Sequence, residues 1–129
     1  MGTIRIDAAD KYFSKAVRLR DKNTCRHCGK EGRQECCHII GRANRRVRWS
    51  AHNAIAMCHY CHRYMTANPL DFYAFLEGEL GAPHIENLRL VSNEIYKTNQ
   101  SLRNEIAAHY REQVRQLEQD ENHELLSWN

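Results

Sequence analysis

The chain has 129 residues, 42% of them hydrophobic and 27% charged, with a formal net charge of +3. That size fits one domain, or one small domain with a helical appendage, and no apolar run approaches the roughly 20 residues of a membrane-spanning helix. The composition is that of a soluble globular protein with no membrane partner, and not of a fibrous or disordered chain.

The opening Met1-Gly2-Thr3-Ile4-Arg5-Ile6-Asp7 lacks the apolar core of a signal peptide. The expected location is the cytoplasm, where thiols stay reduced. Six cysteines in that setting favour a metal site over disulfides. The charge is unevenly placed. Residues 11–64 carry thirteen Lys/Arg against three Asp/Glu, while residues 65–129 carry five against eleven. A basic half joined to an acidic half suits a nucleic-acid-facing site with a separate appendage.

Residues 7–21 predict a first helix, with Tyr12, Phe13, Ala16 and Val17 on an apolar stripe and Asp7 or Asp10 as its cap. Lys11, Lys15, Arg18 and Lys22 are expected to ride its solvated side. Cys25-Arg26-His27-Cys28 forms a first Cys-x-x-Cys knuckle, with Gly29 giving the tight turn behind it. Residues 34–41 predict a short strand ending at Gly41. Arg42, Arg45, Arg46, Arg48 and Trp49 then lie within eight residues. They suit a phosphate-gripping loop or hairpin, because guanidinium forks match phosphate oxygens. Trp49 either stacks on a base or anchors that loop in the core.

Asn53 to Met65 predicts a second strand running into a helix through Cys58-His59-Tyr60-Cys61-His62. Further helices are expected over 70–80, over 84–91, and from about 93 to 124 with a break near Thr98. Leu102, Ile106, Tyr110, Val114 and Leu117 form a narrow stripe on the last of these. Such a stripe packs along the domain or against a second copy of the chain. The predicted division is thus residues 1–92 as a metal-stapled domain and 93–129 as a long helix for packing or homodimerisation.

Cys25, Cys28, Cys58 and Cys61 have the spacing of a closed tetrahedral zinc site, which stabilises a fold and leaves no open coordination position. Zinc there would bring the strand with His38 beside the helix with His62. Hydrolysis of a phosphodiester needs a base for water, a divalent cation and a basic groove. His38 is the candidate base, His62 the candidate cation ligand, and Asn53 the residue that fixes the intervening loop. The arginines of 42–48 are the candidate groove. His27, His52 and His59 are read as surface residues or as supports for the metal ligands.

These residues resemble the HNH nuclease superfamily, whose core is the ββα-metal fold. The pattern is carried by Cys25/Cys28, Cys37-His38-Ile39-Ile40, Asn53 and Cys58/Cys61-His62. A narrower likeness, to the phage NinG/Rap recombination nucleases, is visible in residues 13–29, His38 to Arg42, Val47 to Trp49, Asn53, and Asn68 to Gly81. The resemblance implies an α+β protein with a small ββα-metal core, a flanking amino-terminal helix and a helical carboxy-terminal extension. It implies a structure-selective DNA endonuclease of a bacterial or phage-infected cell, cutting branched recombination intermediates such as four-way junctions. The cofactors implied are structural Zn2+ and catalytic Mg2+ or Mn2+.

One position departs from that pattern. Many of these nucleases carry an Asp directly before the first catalytic His, where it binds the cation; here Cys37 stands there, a soft donor poorly matched to magnesium. The options are a cation held by fewer ligands, a softer metal such as manganese, another carboxylate reaching in, or a protein that binds DNA without cutting well. Glu35, three residues from His38 on a strand, is expected on the opposite face. The rival readings are a non-catalytic zinc DNA-binding module and an ordinary duplex nicking or homing-type endonuclease.

Overall fold

The computed structural model describes residues 5–129, so residues 1–4 of the stretch read for a signal peptide lie outside it. Helix α1 (Ala8–Arg20) starts where Asp7 caps it. The Asp7 carboxylate accepts from the Asp10 N–H at 3.1 Å, and the Asp10 carboxylate accepts from the Asp7 N–H at 3.0 Å. This reciprocal box satisfies two backbone donors that a helix start otherwise leaves open. Beyond α1, Lys22 and Asn23 take left-handed φ of 56° and 50° and turn the chain into the first knuckle, where Gly29 sits at φ 79°. The glycine turn expected behind Cys28 is therefore present.

Strand β1 (Glu35–His38) pairs antiparallel with β2 (Ala54–Met57), with His38 opposite Ala54 and Cys37 opposite Ile55. The predicted strand over 34–41 is shorter in the structure. After His38 the Ile39 N–H still reaches the Asn53 carbonyl at 2.9 Å, and then the Asn53 side chain replaces the ladder. Residues 42–50 form successive turns rather than a hairpin. Cys58 caps helix α2 (His59–Ala67), and α3 (Pro69–Leu80) and α4 (Ala82–Ser92) follow, each with proline in its first turn. The last predicted helix is one unbroken element, α5 (Gln100–Gln119), capped by Asn99. Residues 93–99, read as its first turns, are a linker instead.

Alternation along the two strands divides two apolar clusters. On one side Phe13, Ala16 and Val17 of α1 meet Ala54, Trp49 and the α5 residues Ile106, Tyr110 and Val114. Phe13 and Tyr110 stack edge-on with ring centroids 5.0 Å apart, a geometry favoured by the ring quadrupoles. On the other side Cys37, Ile55 and Met57 pack on Met65, Leu76 and Ile85 of α2–α4.

Helix α5 packs on the residues before 92. Ile106, Tyr110, Val114 and Leu117 are buried, most of them in the cluster that also buries α1 and β2. Each large apolar side chain so buried contributes roughly 1.5–3 kcal/mol, so α5 belongs to the domain. Of the two partners expected for its stripe, this domain or a second copy, the structure shows the first: α1 covers it. The whole is an α+β fold of five helices and a two-stranded sheet among the described residues. No helix among them is long and apolar enough to cross a membrane.

Candidate functional site

Two cysteine knuckles of matching build face each other. In each, the second cysteine's N–H points at the first cysteine's sulfur at 3.5 Å, Cys28 to Cys25 and Cys61 to Cys58. All four sulfurs lie within 4.8 Å of one another, and Cys28 Sγ is 3.8 Å from Cys58 Sγ. A tetrahedron of zinc–sulfur bonds of ~2.3 Å has edges of about that length. These residues could therefore hold a zinc ion. Burial opposes ionisation of Cys25, but the N–H groups of Cys28, Cys58 and His27 outweigh it and bring its thiol down to about 7. Burial and the sulfurs of Cys58, Cys28 and Cys25 instead push Cys61 up. A dication held there would offset that crowding by taking all four as thiolates. His27, read as a surface residue or support, lies with Nδ1 3.3 Å from Cys61 Sγ.

Beside the sheet lies a cleft of about 1210 Å³. Its walls include Lys11, Ser14 and Arg18 of α1, His59, His62 and Thr66 of α2, and Arg33, Glu35, His38 and Arg42 between them. His38 and His62, paired by sequence reasoning, thus share one cavity. His38 Nε2 lies 3.0 Å from the Arg48 carbonyl oxygen. A carbonyl only accepts, so Nε2 carries the proton and Nδ1 keeps the lone pair. Burial, against the opposing pull of that carbonyl, lowers the imidazole to about 4. The ring is therefore neutral at neutral pH.

Asn53 is fully buried. Its Oδ1 accepts from the Ile40 N–H at 2.8 Å, and its Nδ2 donates to the Ile40 and Val47 carbonyls at 2.8 and 3.1 Å. One amide thereby clamps both ends of the loop that follows His38.

Two expectations about this strand are corrected. Cys37 points away from His38, as neighbours on a strand must. It is buried in the α2–α4 cluster, and burial, with the charges of Glu35 and Cys25 beside it, pushes its thiol up to about 12. A protonated thiol behind the sheet is no ligand for a cation in the cleft. Glu35 was expected on the strand face opposite His38, yet it lines the same cavity. Its Oε1 lies 2.8 Å from His62 Nδ1, and its Oε2 lies 2.8 Å from His59 Nδ1. Hydrogen bonds from His59 and His62 hold the carboxylate below its ordinary range. Strand alternation misleads here because Glu35 opens β1, where the first turn of α2 crosses the strand end. Among the described residues, the four cysteines are the only three-or-more group of His, Cys, Asp or Glu donors drawn this close together.

The arginines separate. Arg42 lines the cleft, and Arg45 is exposed. Arg46 pairs with Glu94 at 2.9 Å and lies over the Tyr96 ring at 5.6 Å. Arg48 is corrected from a nucleic-acid contact to a core anchor, and Trp49 takes the core-anchoring option of the two expected for it. The Arg48 side chain is 6% exposed and forks onto Asp10 at 2.9 and 2.6 Å. Trp49 is buried, with its indole N–H on the same carboxylate at 3.1 Å. Sequence reasoning missed Lys11, Arg18 and Arg33 as cleft residues. The signal for two of them was the spacing of 11, 14 and 18, one face of α1; Arg33 gave no such signal.

Comparison of the chain with protein-family models, curated proteins and solved structures returns no match.

Proposed function

We propose that the chain is a metal-dependent DNA endonuclease of the HNH type, acting on branched recombination intermediates such as four-way junctions. The observation that carries the reading is the cleft itself. A neutral histidine of fixed tautomer, a carboxylate–histidine pair and four cationic side chains line one cavity beside a four-cysteine cluster. The resemblance of the Cys37-His38-Ile39-Ile40, Asn53 and Cys61-His62 segments supplies the class of reaction.

In this reading the four cysteines hold zinc, which fixes the knuckles and takes no part in the chemistry. His38 Nδ1 takes a proton from water, whose oxygen attacks phosphorus as the bond to the 3′ oxygen breaks; the leaving oxygen takes a proton from solvent water, which gives a 5′-phosphate and a 3′-hydroxyl. Glu35 holds Nδ1 of His62, which leaves Nε2 for a cation, an arrangement that orients a ligating ring. His62 would hold a Mg2+ or Mn2+ there, which would supply Lewis-acid stabilisation of the charge developing on the phosphoryl and leaving oxygens. A lone imidazole donor suits manganese better than magnesium. Lys11, Arg18, Arg33 and Arg42 hold the phosphate backbone.

A second reading, a zinc module that binds DNA without cutting it, is favoured by one observation. The donors beside the cleft do not converge as the four cysteines do. The test is cleavage of a labelled four-way junction beside its matched linear duplex, with magnesium and with manganese. Cutting of the junction alone is the expected result. Equal cutting of both substrates would make it a general nicking enzyme, and tight binding without cutting under either metal would make it the binding module.

A further inference from the structure

The four carbonyl oxygens of residues 46–49 are each engaged by a side chain from elsewhere in the chain. Arg46 O accepts from Asn129 Nδ2 at 2.8 Å, Val47 O from Asn53 Nδ2 at 3.1 Å, Arg48 O from His38 Nε2 at 3.0 Å, and Trp49 O from the Tyr110 hydroxyl. The third matters most, because it determines which nitrogen of His38 carries the proton.

The peptide bearing that carbonyl joins Arg48 to Trp49, and the side chains on both sides of it end on one carboxylate. Asp10 Oδ1 accepts from Arg48 Nε at 2.9 Å and from Trp49 Nε1 at 3.1 Å. Asp10 Oδ2 accepts from Arg48 Nη2 at 2.6 Å and from the Asp7 N–H at 3.0 Å. Arg48 Nη2 also reaches the Arg5 carbonyl at 2.7 Å. Asp10 is buried, and four donors fill its two oxygens. A carboxylate so saturated has one energetically acceptable placement, since any rotation leaves a buried charge short of partners.

We propose that Asp10 is a positioning residue for His38: through Arg48 and Trp49 it fixes the Arg48 carbonyl, which keeps the imidazole proton on Nε2 and leaves Nδ1 as the proton-accepting nitrogen. Its kinetic consequence rests on the nuclease reading above; its consequence for the ring does not. A carboxylate that fixes a base through an intervening peptide differs from one bonded to the base directly. Asp10 makes no hydrogen bond to the imidazole; burial lowers the ring's pKa, and the Asp10 charge pulls it upward through space. The tautomer is set by the placement of one carbonyl, and Arg48→Lys, which keeps both charges, separates the two effects. Loss of the fork therefore frees the carbonyl and lets the proton distribute over both nitrogens.

The experiment is nitrogen NMR of the His38 ring in the zinc-loaded full chain, assigned by its absence in His38→Gln. It is run on wild type, Asp10→Asn and Arg48→Lys. Asn cannot accept from all four donors, and Lys keeps the charge but loses the fork. Wild type is expected to show the Nε2–H tautomer, and both variants a mixture. On a junction substrate kcat is expected to fall about tenfold with KM unchanged. Circular dichroism and zinc content identify the variants that remain folded, and either one suffices. A wild-type ring protonated on Nδ1, or a folded variant with wild-type ring shifts, overturns the proposal. A tautomer shift in a protein that cuts no DNA upholds the positioning and removes the nuclease reading.

Discussion

His38 illustrates how far a residue type predicts its own chemistry. Its candidacy as a base rested on the ordinary histidine value near ~6.5, whereas burial places it at about 4. Between those values the unfolded chain binds a proton that the folded chain does not. The ring therefore withdraws stability as pH falls from about 6.5 to about 4, and has no effect above that window. Urea unfolding of wild type and His38→Gln should show the shallower pH dependence in the variant over that range. Parallel curves would mean that the ring is not buried as described. Cys37 tests the correction made on β1. Cys37→Ala should leave zinc content and, under the nuclease reading, DNA affinity intact, and cost about 1 kcal/mol of stability from the lost sulfur. Loss of zinc from that variant would place Cys37 among the ligands. The knuckle cysteines were legible because metal spacing is a property of the local chain. Glu35 was not, because its partners lie on a helix 24 and 27 residues away.

At the scale of elements, the cationic wall was only half legible. Periodicity placed Lys11 and Arg18 on the polar side of α1, but nothing local says that β1 and α2 stand opposite that side. Conversely, the density of arginines at 42–48 suggested a single gripping loop. The structure gives each a separate environment: Arg42 in the cleft, Arg46 on Glu94, and Arg48 in the core. Under the nuclease reading, Lys11→Ala, Arg18→Ala, Arg33→Ala and Arg42→Ala each reduce the slope of log affinity against log salt by about one. Lys97→Ala, a substitution outside the cleft, should leave the slope unchanged. Affinities measured over a salt series check this, and equal slopes in all five variants would remove the cleft as the binding surface.

For the whole molecule, the two-stranded ribbon is too small to bury its own faces, and each face is covered by a different part of the chain. The α2–α4 side depends on the four-cysteine cluster and the other side on α1 with α5. The stripe on α5 was legible as a stripe; its partner was not, since a periodic apolar face records that something covers it and not what. Ile106→Ala should cost about 2–5 kcal/mol while leaving the mass in sedimentation unchanged; a change of oligomeric state instead would return the stripe to a second copy. The central claim, that this cleft hydrolyses DNA with His38 as its base, is tested most directly by cleavage of a four-way junction. Wild type and His38→Ala would be compared in manganese, with zinc content and junction affinity measured on the same samples. The account predicts equal zinc, equal affinity and no cleavage by the variant. Cleavage by His38→Ala at the wild-type rate would contradict it.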